Sequence, residues 1–184
     1  MSIIIACLSQ KGGVGKSTIS RLLARTYASH DWAVKICDFN VKQLTSVDWV
    51  AFRLQTGVEP VIDAQPMSKP KALKSERHDL LVIDGAPDAD AVSLELAKMA
   101  DLVVIPTGIA NDDLKPQIAF AKELVAKGVP DEKILWVMNK TLESEVMLRD
   151  AIELIRREGF DVAPTDLALK TGYAMAQNKG LAIS

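Results

Sequence analysis

Two lysines, two serines and a threonine crowd a glycine-rich stretch near the start of the chain, Ser9-Gln10-Lys11-Gly12-Gly13-Val14-Gly15-Lys16-Ser17-Thr18. Residue types in this order suit the holding of a phosphate chain. The glycines let the backbone turn its N–H groups inward and let phosphate oxygens approach closely. A helix beginning at Lys16–Ser17 adds the positive end of its dipole. In such loops a lysine placed like Lys16 reaches the β- and γ-phosphates, and a hydroxyl placed like that of Ser17 takes a Mg²⁺ position. A turn that merely joined strand to helix has no use for a Gly-Lys-Ser-Thr ending. Residues 12–18 are therefore expected to cradle the phosphates of ATP or a close relative.

Aspartates follow two later apolar runs. Ala33–Cys37 leads into Asp38-Phe39-Asn40, and Leu80–Ile83 leads into Asp84-Gly85-Ala86-Pro87. A buried strand that ends in aspartate beside a phosphate loop puts a carboxylate near Mg²⁺. Asp84 suits that role best. Its other reading is a helix cap or turn residue, but Asp88, directly ahead of Ala89–Met99, is the better cap.

These residues need elements to position them, and the rest of the chain supplies a regular alternation. The runs Ile3–Leu8, Ala33–Cys37, Leu80–Ile83, Leu102–Ile105 and Ile134–Met138 are nearly continuous in Val, Ile and Leu, as parallel strands buried on both faces require. Val61–Ala64 is a weaker candidate. Between them, Ser17–Ser29, Ala89–Met99, Asp112–Lys127 and Glu143–Glu158 have helical length and spacing, and in the last Val146, Ile152 and Ile155 are expected to point inward. The alternation predicts an α/β fold: a doubly wound, mostly parallel central sheet flanked by helices, with right-handed crossovers and ligands beyond the carboxyl ends of the strands. Gly57–Ser75, with Pro60, Pro66 and Pro70, reads as an irregular excursion within a single domain spanning 1–184. The end, Tyr173–Lys179 and then Ser184, holds no long final helix, so a shortened chain is one reading of it.

Composition narrows the options. With 184 residues, 48% of them apolar and 25% charged, the chain has the material for one sizeable core and lacks the signature of disorder. A net charge of −2 excludes a globally basic nucleic-acid binder but leaves room for a local patch. Cys7 and Cys37 lie far apart inside apolar runs and read as buried thiols. No apolar stretch reaches the roughly 18–20 residues of a membrane span. The apolar start has no basic flank before it, so the expected location is the cytoplasm.

The loop departs from the usual G-x-x-x-x-G-K-S/T form, because Gln10 stands at the first glycine's place and Lys11 precedes the glycine pair. This K-G-G-x-G-K-S/T form resembles the deviant Walker-A loop of the ParA/MinD family of ATPases, and the Asp84-Gly85-Ala86-Pro87 turn resembles the family's D-x-x-P. The resemblance runs from Ser2 to about Lys179. It implies a P-loop NTPase fold, ATP and Mg²⁺ as ligands, and a homodimer in the ATP-bound state. It makes Lys11 the lysine that reaches across the dimer to the partner's nucleotide. Asp38 then matches the first aspartate of the family's D-x-D motif and lies near the metal with Ser17 and Asp84. Asn40 stands where the second aspartate, which positions or activates the attacking water, belongs. An amide can orient water but cannot accept its proton, so hydrolysis should slow more than ATP binding weakens. Two accounts of Asn40 stay open, a naturally slow variant and a deliberate change that traps the ATP state; the intact remainder of the site favours the second.

The same resemblance assigns Asn139 to the adenine edge, where the other reading is a turn asparagine. Residues 139–142 lack the aspartate of the guanine-selecting N-K-x-D form. Pro164 and Asp166 are placed to close over the base. Ile105-Pro106-Thr107 with Asp112 and Asp113 resembles a segment of the dimer face, or else supplies acidic residues to a helix's first turn. The family's partition members hold non-specific DNA through basic residues and respond to a ParB-like adaptor. Arg149, Arg156, Arg157, Lys170 and Lys179 are the candidates here, with ordinary solvated charges as the alternative. Competing functions are a MinD-like membrane switch, for which the end of the chain offers no amphipathic helix, and a small-molecule enzyme such as a dethiobiotin synthetase-like ligase. An electron-transfer ATPase of the nitrogenase iron-protein kind would need cluster cysteines, and Cys7 and Cys37 are poorly placed for that.

Overall fold

A computed structural model describes residues 2–87, 91–141 and 144–182. Its strands form one parallel eight-stranded sheet. In chain order the elements are β1 (Ile3–Ser9), α1 (Lys16–Ala28), β2 (Val34–Asp38), α2 (Thr45–Thr56), β3 (Asp63–Pro66), a 3₁₀ turn (Pro70–Ser75), β4 (Leu80–Pro87), α3 (Ala91–Met99), β5 (Leu102–Thr107), α4 (Asn111–Ala126), a second 3₁₀ turn (Asp131–Lys133), β6 (Ile134–Thr141), α5 (Glu145–Arg157), β7 (Asp161–Val162), β8 (Leu167–Ala168) and α6 (Thr171–Asn178). Strand order is β3-β2-β4-β1-β5-β6-β7, with β8 also paired to β6.

The sheet is buried on both faces because successive residues of its central strands serve opposite cores. Ala6, Leu8, Leu81, Ile83, Val103, Ile105 and Trp136 pack with α3, α4 and α5. Ile5, Cys7, Ile36, Leu80, Val82 and Val104 pack with α1 and α2. This double winding is the predicted fold class, and it puts β1 between β4 and β5.

Several local expectations need correction. The weak strand lies at Asp63–Pro66, two residues beyond the expected Val61–Ala64: Val61 is exposed while Ile62 is buried ahead of the pairing with β2. The excursion after Gly57 is thereby partly ordered as an edge strand and a 3₁₀ turn. In α5, Ile155 is buried and Ile152 packs against the core as expected, but Val146 is exposed, and Leu148 and Ala151 complete the inward face. At ~100° per residue, positions 146 and 155 lie about half a turn out of phase. Ser144 caps this helix, accepting the Met147 N–H at 3.4 Å. The expected Asp88 cap, the Ala89 start of α3 and the Glu143 start of α5 lie outside the described residues. Among the described residues no helix is long and apolar enough to cross a membrane.

Candidate nucleotide site

The phosphate loop begins where β1 emerges between its neighbours. Register pairs Cys7 with Asp84 across β1–β4 and Asp38 with Asp84 across β2–β4. Parallel pairing therefore sets both carboxylates side by side at the carboxyl edge of the sheet, next to the loop. Gly85 is needed for this closeness. A Cβ there would come within 2.7 Å of the Leu8 side chain and 2.9 Å of the Cys7 carbonyl.

Gly15 ends the loop with φ +104°, a conformation that L side chains rarely adopt, and acts as the N-cap of α1 without any side-chain cap. No acidic residue occupies the first turn of α1. The leading N–H groups of the helix are thus presented without a competing anion, as an anion-binding terminus requires. The Lys16 side chain is drawn in rather than out, with the residue only 7% exposed. Its ammonium donates to Ser9 Oγ at 2.7 Å and to the Lys11 carbonyl at 3.3 Å, and Ser9 Oγ donates to that same carbonyl at 2.8 Å.

Lys11 points elsewhere. Its ammonium is half-exposed, pairs with Asp113 at 2.6 Å and donates to the Asp112 carbonyl at 3.3 Å. Both acceptors sit in the first turn of α4. Pro116, inside α4, has no N–H to give to the carbonyl four residues earlier, which is that of Asp112. The proline leaves an acceptor open, and Lys11 takes it. The loop is tied to α4 a second time, where the Gln10 N–H donates to Gln117 Oε1 at 3.0 Å while the Gln117 amide donates to the Pro106 carbonyl.

The acidic pair is almost wholly shielded. Asp84 is 1% exposed and accepts the Ser46 hydroxyl at 2.6 Å. Asp38 accepts backbone N–H groups from Asn40 at 3.0 Å and Ser46 at 3.1 Å. Burial pushes the Asp84 carboxyl up to about 6; the Asp38 charge pushes the same way, while the Ser46 and Ser17 hydroxyls and Arg21 pull back. Burial likewise raises Asp38, opposed chiefly by its backbone donors. Above the loop, the Ser17 hydroxyl lies 3.2 Å from that of Thr45. A cavity of 360 Å³ follows the outer side of the loop, lined by Gly12, Gly13, Gly15, Lys16, Ser17 and Thr18 together with Asn40, Thr45 and Lys140.

The raised Asp84 value makes a stability prediction for the chain free of metal and nucleotide. Between pH 4 and 6 the folded chain binds this proton more tightly than the unfolded chain does. The contribution is therefore full below the unfolded value of 3.8 and is lost as pH rises through about 6. Its size is on the order of 3 kcal/mol. D84N should stay neutral throughout and keep an acceptor for Ser46. The expected result is a ligand-free D84N that matches the wild type near pH 4 and exceeds it in urea unfolding free energy above pH 6. A difference between the two that does not change with pH would reject the assignment.

Residues expected around the base are placed less simply. Asn139 lies within β6, which runs two residues beyond it to Thr141 rather than stopping at Met138, and its amide is turned to the back of the loop, where Nδ2 donates to the Val14 carbonyl at 2.6 Å. Lys140 takes φ +56° and donates to the Gly13 carbonyl at 2.6 Å. Asp166 accepts a bond from the Thr141 hydroxyl, and Pro164 is exposed two residues before it; neither lines the cavity beside the loop. The basic candidates stand apart from the loop. Arg149, Arg156 and Arg157 are exposed on α5, with Arg149 near Asp150 and Arg157 bonded to Glu153. Lys170 lies over the Tyr173 ring, and Lys179 caps α6. Both cysteines are buried and free, and burial pushes each thiol up to about 12, so neither is a reactive or cluster-binding group.

Arg21, Thr45, Ser46, Gln117 and Gln177 belong to this neighbourhood and were not legible beforehand. Arg21 at i+4 from Ser17 carried a faint signal, since that spacing puts both on one face of α1.

A glycine loop opening a helix at the carboxyl edge of a doubly wound sheet, with an inward lysine and paired buried aspartates, defines a P-loop nucleotide-binding domain. The chain belongs to the CobQ/CobB/MinD/ParA nucleotide-binding domain family, whose profile matches residues 5–180. The same fold occurs in a Borrelia burgdorferi B31 protein described as a plasmid partition protein and bound to AMPPNP, with TM-score 0.73, 16% identity, and coverage of 100% of this chain and 92% of that one. It occurs in the septum site-determining protein MinD complexed with Mg-ADP from Pyrococcus horikoshii OT3, with TM-score 0.70, 17% identity, and coverage of 99% and 87%. It also occurs in the MinC:MinD cell division protein complex of Aquifex aeolicus, with TM-score 0.75, 14% identity, and coverage of 98% and 87%. No curated protein sequence matches the chain.

Proposed function

We propose that the chain is an ATPase that dimerises around ATP and Mg²⁺ and positions a cargo, DNA foremost, in the manner of partition proteins. The observation that carries this reading is the division of labour between the lysines. Lys16 already lies inside the loop on Ser9 and the Lys11 carbonyl. Lys11 is held at the loop's front edge by surface contacts to Asp112 and Asp113. Part-exposed ion pairs of that kind are worth little, about 1 kcal/mol or less, so a partner's phosphates can displace Asp113.

The donor set suits Mg²⁺, which is usually bound through one or two carboxylates together with substrate phosphates. Asp38, Asp84 and Ser17 would hold it, and the metal when bound supplies charge neutralisation at the β- and γ-phosphates. The remaining work falls to the chain's own groups. Lys16 and the first N–H groups of α1 stabilise phosphate charge. Asn40 lines the cavity with its amide on Gln43 Oε1 at 2.8 Å, so it orients water without accepting its proton. Turnover is accordingly slow until an adaptor of the ParB kind stimulates it. Asn139, Pro164 and Asp166 serve the adenine side once the amide of Asn139 turns from Val14. Arg149, Arg156, Arg157, Lys170 and Lys179 supply phosphate contacts to non-specific DNA, which would make the dimer nucleoid-associated in the cytoplasm.

Size-exclusion chromatography with ATPγS and Mg²⁺ tests the dimer, and a DNA shift at two salt concentrations tests the cargo. The wild type should elute as a dimer and bind DNA more weakly at higher salt. K11A should remain monomeric at least tenfold higher in protein concentration (~1.4 kcal/mol of interface) while still binding nucleotide. A wild-type chain that stays monomeric rejects the dimer mechanism. Dimers without salt-sensitive DNA binding move the cargo away from the nucleoid.

A further inference from the structure

Two arginines tie the C-terminal segment to the helices beside the phosphate site, and one of them holds the backbone of Thr45, whose hydroxyl meets that of Ser17. Arg21 is buried on α1, one turn beyond Ser17. One end of its guanidinium donates to the Thr45 carbonyl at 2.5 Å, and the other donates to Gln177 Oε1 on α6 at 3.1 Å. Thr45 is the residue whose hydroxyl meets Ser17, and the next residue, Ser46, bonds both Asp84 and Asp38. Arg53, whose guanidinium lies 4.8 Å from the centre of the same Trp49 ring that Arg21 approaches, donates to the Gly180 carbonyl at 2.5 Å. The start of α2, which has no side-chain cap of its own, is thus pinned from below by an arginine whose far anchor is the C-terminal helix.

We infer that Arg21 is a positioning residue that couples the metal-binding hydroxyls and carboxylates to the docking of α6 through Gln177. The inference rests on the reading of residues 12–18 as the triphosphate loop. Freed from Gln177, Arg21 holds Thr45 less firmly, Ser46 holds Asp38 and Asp84 less firmly, and the arrangement that receives Mg²⁺ must be rebuilt on binding. Coupling of this kind is reciprocal, so Mg²⁺ bound with nucleotide must in turn hold α6 in place. The segment 171–182 becomes an element that reports on occupancy of the site.

Hydrogen exchange of the full chain, measured with ADP alone and with ADP plus Mg²⁺, reads both directions. In the wild type, nucleotide should protect residues 12–18, and adding Mg²⁺ should slow exchange in 171–182 by about fivefold or more. Q177L removes the acceptor at similar size. It should abolish the Mg²⁺ response of 171–182 and raise the Mg²⁺ concentration for half-maximal protection of the loop by about fivefold. Q177E restores an acceptor for the guanidinium and should restore both readouts, which a merely space-filling role for Gln177 would not predict. A Q177L chain whose helix still responds to Mg²⁺, or whose half-maximal Mg²⁺ concentration is unmoved, overturns the proposal. Absence of nucleotide protection at residues 12–18 in the wild type overturns the triphosphate reading, and this proposal with it.

Discussion

Replacing Lys16 by methionine is expected to weaken ATP binding by about a hundredfold or more while leaving the chain folded. The ammonium is nearly buried and already aligned by Ser9 Oγ and the Lys11 carbonyl, so it meets the phosphate tail without having to be ordered first. Charge-assisted contacts to phosphate are among the stronger polar interactions, and removing one partner of a desolvated charge pair costs about 3 kcal/mol or more. That is a factor of about a hundred in affinity. Methionine keeps much of the stem's volume, and the loss falls on the ammonium's hydrogen bonds to Ser9 Oγ and the Lys11 carbonyl, each worth about 1 kcal/mol. The ligand-free variant should therefore melt somewhat below the wild type but remain cooperatively folded. Titration calorimetry with ATP and Mg²⁺, alongside a thermal melt, separates the two effects. An affinity within threefold of the wild type would mean that residues 12–18 do not hold the phosphates.

Gly15→Ala should damage both folding and binding, for two separable reasons. At φ +104° an alanine is strained whatever the space around it, at a cost of about 1–3 kcal/mol. In addition, the new methyl group would overlap the Asn139 amide, which must then leave the Val14 carbonyl that it now bonds at 2.6 Å. Losing a buried polar contact adds about 1–3 kcal/mol. The expected outcome is a urea unfolding free energy lower by about 2–6 kcal/mol, summing those contributions, and no measurable ATP binding. G15A combined with N139A relieves the overlap but not the backbone strain. It should recover part of the stability and none of the binding, because the N–H groups of the loop remain misdirected. An unchanged midpoint in G15A would show that the loop does not adopt this conformation in solution.

Much of the site was legible because its signals are local. The glycine spacing, the Gly-Lys-Ser-Thr ending and the aspartates after apolar runs each depend on neighbours a few residues away, and the structure sets them together at one edge of the sheet. The continuous apolar runs likewise foretold strands buried twice over, since such a strand has no solvent face to mark by alternation. Helix α2 escaped notice for a physical reason. Its N-cap is Leu44 in the left-handed region with no side-chain bond, and its inward face carries Arg53 beside Trp49 and Val50. A buried arginine breaks the apolar period from which a helix is read.

Sequence alone determined the loop, the two aspartates beside it and the layered fold, because each is encoded in short-range composition and period. Tertiary structure decided which side chains serve them. Asp113 meets Lys11 and Gln117 meets Gln10 only after β5 and α4 have been laid against β1. Gln177 meets Arg21 across 156 residues of chain. Such pairings depend on how crossovers stack rather than on any periodicity, and a hydrogen-bonding side chain carries no mark of its distant partner. The same holds for Asn139: its position near the end of β6 was readable, but the direction of its amide was set by the packing of Gly15 against it.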